Sequence, residues 1–263
     1  MPWTFAHPAA VLPFWRRCPR YLSFPALIVG SMSPDLGYYF NQFALASFAH
    51  TFSGTLLLCL PSGLTLLALL YALRNPICLF VPEPHRGALT EVSRSFGRMG
   101  FLRLATISLS VLIGSWTHIL WDSFTHNERW ASNYFALLRE PLFQVGGSAV
   151  HGYQVLQHLS TVVGLFLLAA SYWVWLRQYR LRESERASSF VEERGRWILI
   201  SALVGMSIAV AIPLALSESA FETGFLAFRI FVFRTVVYGT AIFLSMFVVI
   251  AIYRYVRRST LGH

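Results

Sequence analysis

The sequence predicts an all-α fold: a polytopic integral membrane protein with five to six transmembrane helices. Three observations predict it. Hydrophobic residues make up 56% of the chain and the mean hydropathy is +0.55, too apolar for an ordinary soluble domain. Several apolar runs are long enough to cross a hydrocarbon core of about 30 Å. The 21 basic residues, all Arg, outnumber 12 acids and gather at the ends of those runs, the pattern that orients membrane proteins. Placed this way, the basic balance marks topology, and no nucleic-acid partner is expected.

Residues 1–263 read as a single membrane domain. Residues 1–50 form an N-terminal motif region punctuated by Pro8, Pro13, Pro19 and Pro25, with Ala9–Trp15 forming at most a short helix ahead of Arg16, Arg17 and Arg20. Tyr21–Ser33 is interrupted by Pro25 and Gly30 and stopped by Pro34. It is either a re-entrant helix or, continued through Phe40, a sixth span. A five-span bundle occupies 51–258. Thr51–Leu73 is the first span, with a kink expected at Pro61 and Gly63. The stretch from Arg74 to Arg103 reads as a polar loop, and Leu104–Phe124 as the second span. Asn127 to Gln154 connects it to the third, Val155–Leu176, through a turn at Gly146-Gly-Ser148. An arginine-dense loop precedes Trp197–Leu216, and Ile230–Tyr253 is the last span before Arg254, Arg257 and Arg258. Arg234 is expected to snorkel or to pair with an anion.

Five arginines fall in 74–103, six in 177–196 and three after the last span, against two in 127–154 and one in 217–229. The positive-inside rule therefore puts the first three segments, and the C-terminus, in the cytoplasm. Cys18, Cys59 and Cys78 form neither a disulfide framework nor a metal knuckle. The N-terminus lacks the features of a signal peptide, so the whole chain is expected to be retained.

The chemistry-bearing residues sit at the ends of spans. In Gly114-Ser-Trp-Thr-His-Ile-Leu-Trp-Asp-Ser-Phe-Thr-His126, His118, Asp122 and His126 fall at i, i+4 and i+8 and, if helical, share one face. An aspartate in such a run is costly to bury ionised, so it is expected to be paired, to face a polar cavity or to bind a cation. Asp35 and Asp122 are the only aspartates. By the arginine count, Asp35, His50, the His118–His126 face, His151 and His158 all come to the outer ends of their spans; His7 joins them if residues 1–50 dip rather than span. His151 and His158 share a helical face two turns apart if both are helical. Imidazole and carboxylate are ligands for zinc-like ions. The plainer readings are a His118–Asp122 pair that locks helix packing, Asp35 as an N-cap for the residues after it, and interfacial histidines at His50 and His126. The chain carries no G-x-S-x-G, P-loop or H-E-x-x-H motif.

The set His7-Pro-Ala-Ala-Val-Leu-Pro13, Ser33-Pro-Asp35, His50-Thr-Phe-Ser-Gly54 and Gly114-x-x-x-His-Ile-Leu-x-Asp-x-x-Thr125 resembles bacterial inner-membrane proteins described as membrane-bound metal-dependent hydrolases. The N-terminal Thr-Phe-Ala-His-Pro and Gln157-His-x-Ser-Thr161 are also similar to an uncharacterised bacterial membrane-protein family of about this length. More distantly, the order of His7, Asp35, His50, His118, Asp122, His126 and His151 resembles the zinc-dependent phospholipase C and single-strand nuclease superfamily. That superfamily's final His-x-x-x-Glu is here His151-x-x-Gln154 or His158-x-x-Thr161, a departure. The resemblance implies a plasma (inner) membrane location, a divalent metal, zinc, held by His118, Asp122, Asp35, His50, His7, His126, His151 and His158, and hydrolysis of a phosphoester or lipid-linked amphiphile among membrane lipid. A non-catalytic packing or assembly module and a cation- or proton-coupled transporter are the alternatives.

Overall fold

The computed structural model describes residues 3–15, 21–94, 100–127, 129–145, 147–182 and 190–261. Arg16, Arg17, Cys18, Arg20, Arg98, Gly146, Arg186 and His263 lie outside the described residues. The protein is an all-α polytopic membrane protein. Among the described residues, five helical stretches are long and apolar enough to cross a membrane: Phe52–Ala72, Phe101–Tyr134, Gly152–Tyr179, Val191–Ser219 and Gly224–Thr260.

A 3-10 helix, Thr4–Phe14, opens the described chain, followed by α1 (Phe24–Met32), a 3-10 turn (Ser33–Asp35), α2 (Leu36–Tyr39) and α3 (Phe43–Ala49). The first span comprises α4 (Phe52–Gly54), a π-helical turn (Thr55–Cys59) and α5 (Leu60–Ala72). The irregularity expected around Pro61 thus falls in the turn just before it, where wider hydrogen bonding relieves the ring's clash with the preceding carbonyl. The expected polar loop instead holds α6 (Arg74–Phe80) and α7 (His85–Arg94). Then come α8 (Phe101–Thr125), α9 (Trp130–Tyr134), α10 (Ala136–Arg139), strands β1 (Pro141–Val145) and β2 (Ser148–His151), α11 (Gly152–Arg182), α12 (Phe190–Ser219) and α13 (Gly224–Leu261). The strands form an antiparallel hairpin whose turn uses Gly147 at φ 79°, a conformation glycine adopts without steric cost.

The chain forms two compact units, Met1–Ala68 with Met99–Ser171, and Leu69–Arg98 with Tyr172–His263. In the first, the 9 residues of α1 rise only about 14 Å, too short to cross a bilayer. Tyr21–Phe40 holds a helical run in which α1 passes through the Ser33-Pro34-Asp35 3-10 turn into α2, and it is not among the helices long and apolar enough to cross a membrane. It packs along α8 at glycines: a Cβ on Gly30 would lie 2.2 Å from the Val111 carbonyl oxygen, and one on Gly114 would lie 2.3 Å from that of Leu27. Small residues let the two backbones touch, as in other membrane helix pairs. Around this seam Ala26, Ile107 and Val111 are buried against Leu60, Leu64 and Leu67 of α5. Leu27 and Val11 form a second buried pair that holds the N-terminal 3-10 helix.

In the second unit, Phe80, Leu203 and Ala251 are buried together at the base of the α12–α13 hairpin. Arg86 bonds Glu83 (2.7 Å) and Glu193 (3.0 Å), and Arg196 also bonds Glu193. Glu218 accepts from Tyr238 and pairs with Arg234, so Arg234 finds its anion on the neighbouring helix.

The glycine seam makes a sharp prediction. Gly114→Ala should lower the stability of the purified protein by about 1–3 kcal/mol through overpacking. Gly205→Ala, where an added Cβ meets nothing within 4 Å, should be neutral or stabilising by up to about 1 kcal/mol in the same detergent thermal melt.

Candidate metal centre

Proline at position 34 starts the site. Lacking an N–H, it cannot return a helical bond to Gly30, whose carbonyl accepts from the Ser33 N–H instead as α1 tightens into a 3-10 turn. The Gly30 carbonyl accepts from the hydroxyls of Ser33 (2.8 Å) and Ser115 (3.2 Å). The Ser31 carbonyl accepts from Nδ1 of His118 at 2.8 Å. The same logic recurs at the end of α3, where the Ala46 carbonyl accepts from Nδ1 of His50 at 2.7 Å. A carbonyl only accepts, so Nδ1 carries a proton on both rings and Nε2 is the nitrogen left to face the cluster.

Those two Nε2 atoms point at two carboxylates. His50 Nε2 lies 3.5 Å from Asp35 Oδ1 and 3.2 Å from Asp122 Oδ2; His118 Nε2 lies 3.5 Å and 3.3 Å from the same oxygens. The four ligand atoms of Asp35, His50, His118 and Asp122 all lie within 4.8 Å of one another, and all four residues are buried. His50 Nε2, His118 Nε2 and Asp35 Oδ1 are buried with no hydrogen-bond partner. The convergence of two imidazole nitrogens and carboxylate oxygens, each ring anchored at its other nitrogen, is an arrangement that suits a metal ion and its supporting shell. This cluster can hold a metal ion.

The remaining N-terminal candidates surround Asp122. His7 stacks on His118 with ring centroids 3.6 Å apart, and its Nε2 is 3.6 Å from Asp122 Oδ1. The 3-10 helix that carries it lies against Gly164 of α11 through Ala6. Burial, reinforced by His118, pushes the His7 imidazole down to about 3, so it is neutral. His126 follows the last helical residue in extended backbone (φ −126°, ψ 147°), so it does not continue the His118–Asp122 face. Its side chain nevertheless folds back, Nδ1 lying 3.5 Å from Asp122 Oδ1.

Asp35 is fully buried and does not cap α2; its Oδ2 accepts from Thr4 at 2.8 Å. Burial alone would raise its pKa, but attraction to the histidines, His118 first, outweighs this and holds the carboxyl below its ordinary range. His151 and His158 are not in the converging group. His151 ends β2, one residue before α11 begins, so the shared helical face with His158 does not exist. His151 interacts with Gln154 Oε1 through its backbone N–H at 2.8 Å and Nδ1 at 3.4 Å, and His158 is exposed. Sequence reasoning missed Thr4, whose hydroxyl looked like part of an apolar start, and Tyr38, whose ring centroid lies 6.4 Å from that of His50. Burial raises the Tyr38 phenol above its ordinary range, so it stays a donor.

Fold and site together define the class: an all-α, multi-pass membrane protein with a buried His/Asp cluster able to hold a metal ion. The chain belongs to the DUF4184 family, described as a domain of unknown function, whose sequence profile matches residues 1–255. No curated protein and no solved structure matches it.

Thr4→Val should weaken metal binding about 10- to 100-fold while leaving the ligands in place, as loss of a supporting hydrogen bond does in other metal sites. His151→Ala and His158→Ala should leave metal affinity unchanged. Both outcomes are read by competition of the purified protein against a chromogenic chelator.

Proposed function

We propose that the protein is a membrane-bound metal-dependent hydrolase of the plasma (inner) membrane. Its C-terminus is cytoplasmic and its site lies at the outer face, acting on a phosphoester of an amphiphilic or lipid-linked substrate. The observation that carries this reading is the convergence of Asp35 Oδ1, His50 Nε2, His118 Nε2 and an Asp122 oxygen within 4.8 Å, with both Nε2 atoms buried and without a hydrogen-bond partner. Two imidazoles and two carboxylates are a borderline-hard set that suits zinc. When bound, such an ion supplies Lewis acidity and lowers the pKa of a coordinated water.

The chain's own residues supply the rest. Nδ1 anchoring by Ser31 and Ala46 fixes ring orientation, so the histidines do not reorganise during a reaction. His126 is the least buried of the cluster, its side chain 23% exposed, while its Nε2 is turned inward, buried and without a hydrogen-bond partner. It is the group placed to accept a proton between the site and solvent. Thr4 holds the Asp35 carboxylate in place through its hydrogen bond. The arginine distribution favours an outer site, and the apolar spans around it favour a substrate that arrives in the membrane.

The burial of all four central residues favours a second reading, a structural ion site that ties α1, α3 and α8 together without catalysis. The two readings part on His126. Purified parent protein should contain about one equivalent or more of divalent metal, and His118→Ala/Asp122→Ala should contain none; equal metal in both would end the metal reading. With bis-p-nitrophenyl phosphate and a fluorescent phospholipid as substrates, His126→Ala should keep its metal and lose about 100-fold in kcat. Metal retention with no hydrolysis by the parent of either substrate or of a lipid-linked phosphoester panel, together with chelator-dependent melting, would establish the structural site instead.

A further inference from the structure

The second unit holds a crevice of about 770 Å³ among α6, α12 and α13. Its floor includes Phe80, Leu199 and Ala251; its rim carries Arg196, Arg254, Arg257 and Arg258, with Glu192 the acid that lines it. Arg196 is occupied by Glu192 at 3.7 Å and by Glu193. Arg254, Arg257 and Arg258 make no ion pair among the described residues. Topology accounts for arginine at this end of the spans, but not for this arrangement. Positions 254, 257 and 258 are i, i+3 and i+4, so α13 turns one face of three uncompensated guanidiniums toward a single apolar-floored crevice. An adjoining crevice of about 400 Å³ shares Leu79 and Arg258 with the first and adds the polar groups of Asn75, Ser93 and Ser259.

We propose that this crevice is a binding site for the phosphate head group of an anionic phospholipid. Guanidinium forks match phosphate oxygens in charge and geometry. The apolar floor suits the first methylenes of an acyl chain, and the amide and hydroxyls beside Arg258 suit a hydroxylated head group such as glycerol. Basic pockets between membrane helices on the cytoplasmic side are lipid sites by the same physics. A free phosphate would use the arginines and leave the floor bare, so the amphiphile is the occupant the whole crevice fits. The site is independent of the metal centre.

The test uses full-length protein purified in a neutral detergent, with phosphatidylglycerol, phosphatidylcholine of the same chains, and inorganic phosphate as probes, read by native mass spectrometry and by thermal shift. Phosphatidylglycerol should bind at least about tenfold more tightly than phosphatidylcholine, and inorganic phosphate should neither stabilise the protein nor displace the lipid. Arg254→Gln/Arg257→Gln/Arg258→Gln should lose about tenfold or more in affinity for phosphatidylglycerol, and the corresponding triple lysine variant should recover most of it. Gly195→Phe offers a route that leaves the arginines untouched. Gly195 lines the crevice, a Cβ there meets nothing within 4 Å, and the added ring should fill the space and weaken binding. An unchanged melting temperature of each variant in the absence of added lipid certifies folding. Equal affinity for the two lipids, unchanged affinity in the triple glutamine variant, or stabilisation by inorganic phosphate equal to that by phosphatidylglycerol would each overturn the proposal.

Discussion

The contact between α1 and α8 at Gly30 and Gly114 is the constraint from which the site follows. No other side chain fits there: a Cβ on either glycine would sit less than 2.5 Å from a carbonyl oxygen of the facing helix. Because the backbones touch, the end of α1 comes within hydrogen-bond reach of the α8 face one turn beyond Gly114. That face carries His118, and the carbonyl it meets is Ser31, freed by the break at Pro34. Packing of small residues thus does two things at once. It secures a helix too short to span, and it sets the tautomer and orientation of a buried imidazole.

Electrostatics supplies the second requirement. Asp35 and Asp122 are buried with Nε2 of His50 and of His118 directed at them, and two carboxylates so placed are tolerable only with positive charge between them. Protons on the imidazoles would provide it, giving the packing node; a divalent ion would provide it more completely, using all four ligands and both anchored rings. Geometry favours the ion. A salt-bridge node needs neither the near-equal spacing of each Nε2 to both carboxylates nor the second carboxylate. Asp122 also divides its oxygens, Oδ2 toward His50 and His118 and Oδ1 toward His7 and His126, which makes it the hinge between the buried core of the cluster and its more exposed edge.

Much of this was legible in the chain because membrane burial simplifies the code. An aspartate within an apolar run has few options, so Asp122 and its i−4 neighbour His118 declared themselves. The five spans followed from hydropathy with ends shifted by a few residues, since helices extend past the apolar core into the arginine-rich flanks. What failed did so for local reasons. His151 and His158 share a face only if both are helical, but Gly152 marks the helix start, and a histidine on a hairpin strand has no fixed phase with one on the helix. The stretch 74–103 read as a loop because its polar composition hides amphipathic helices that are stabilised by tertiary ion pairs such as Arg86 with Glu193. Thr4 carried no periodic signal at all, because its role depends on a contact 31 positions away.

Residues 1–50 show why such a region resists reading from periodicity. Their helices are short, 3-10 in part, and interrupted by Pro8, Pro13 and Pro34, so no hydrophobic repeat develops. The same interruptions create the unsatisfied carbonyls and close turns that hold ligands. An unbroken span at Tyr21–Phe40 would consume its own backbone carbonyls in i→i+4 bonds and leave none for His118. Broken helices at membrane depth are tolerated where protein groups re-satisfy the backbone, and here the groups that do so include Ser33, Ser115 and His118. The prolines that obscured the topology are therefore the devices that build the site, and the ambiguity of the N-terminal sequence and the geometry of the cluster have one physical origin.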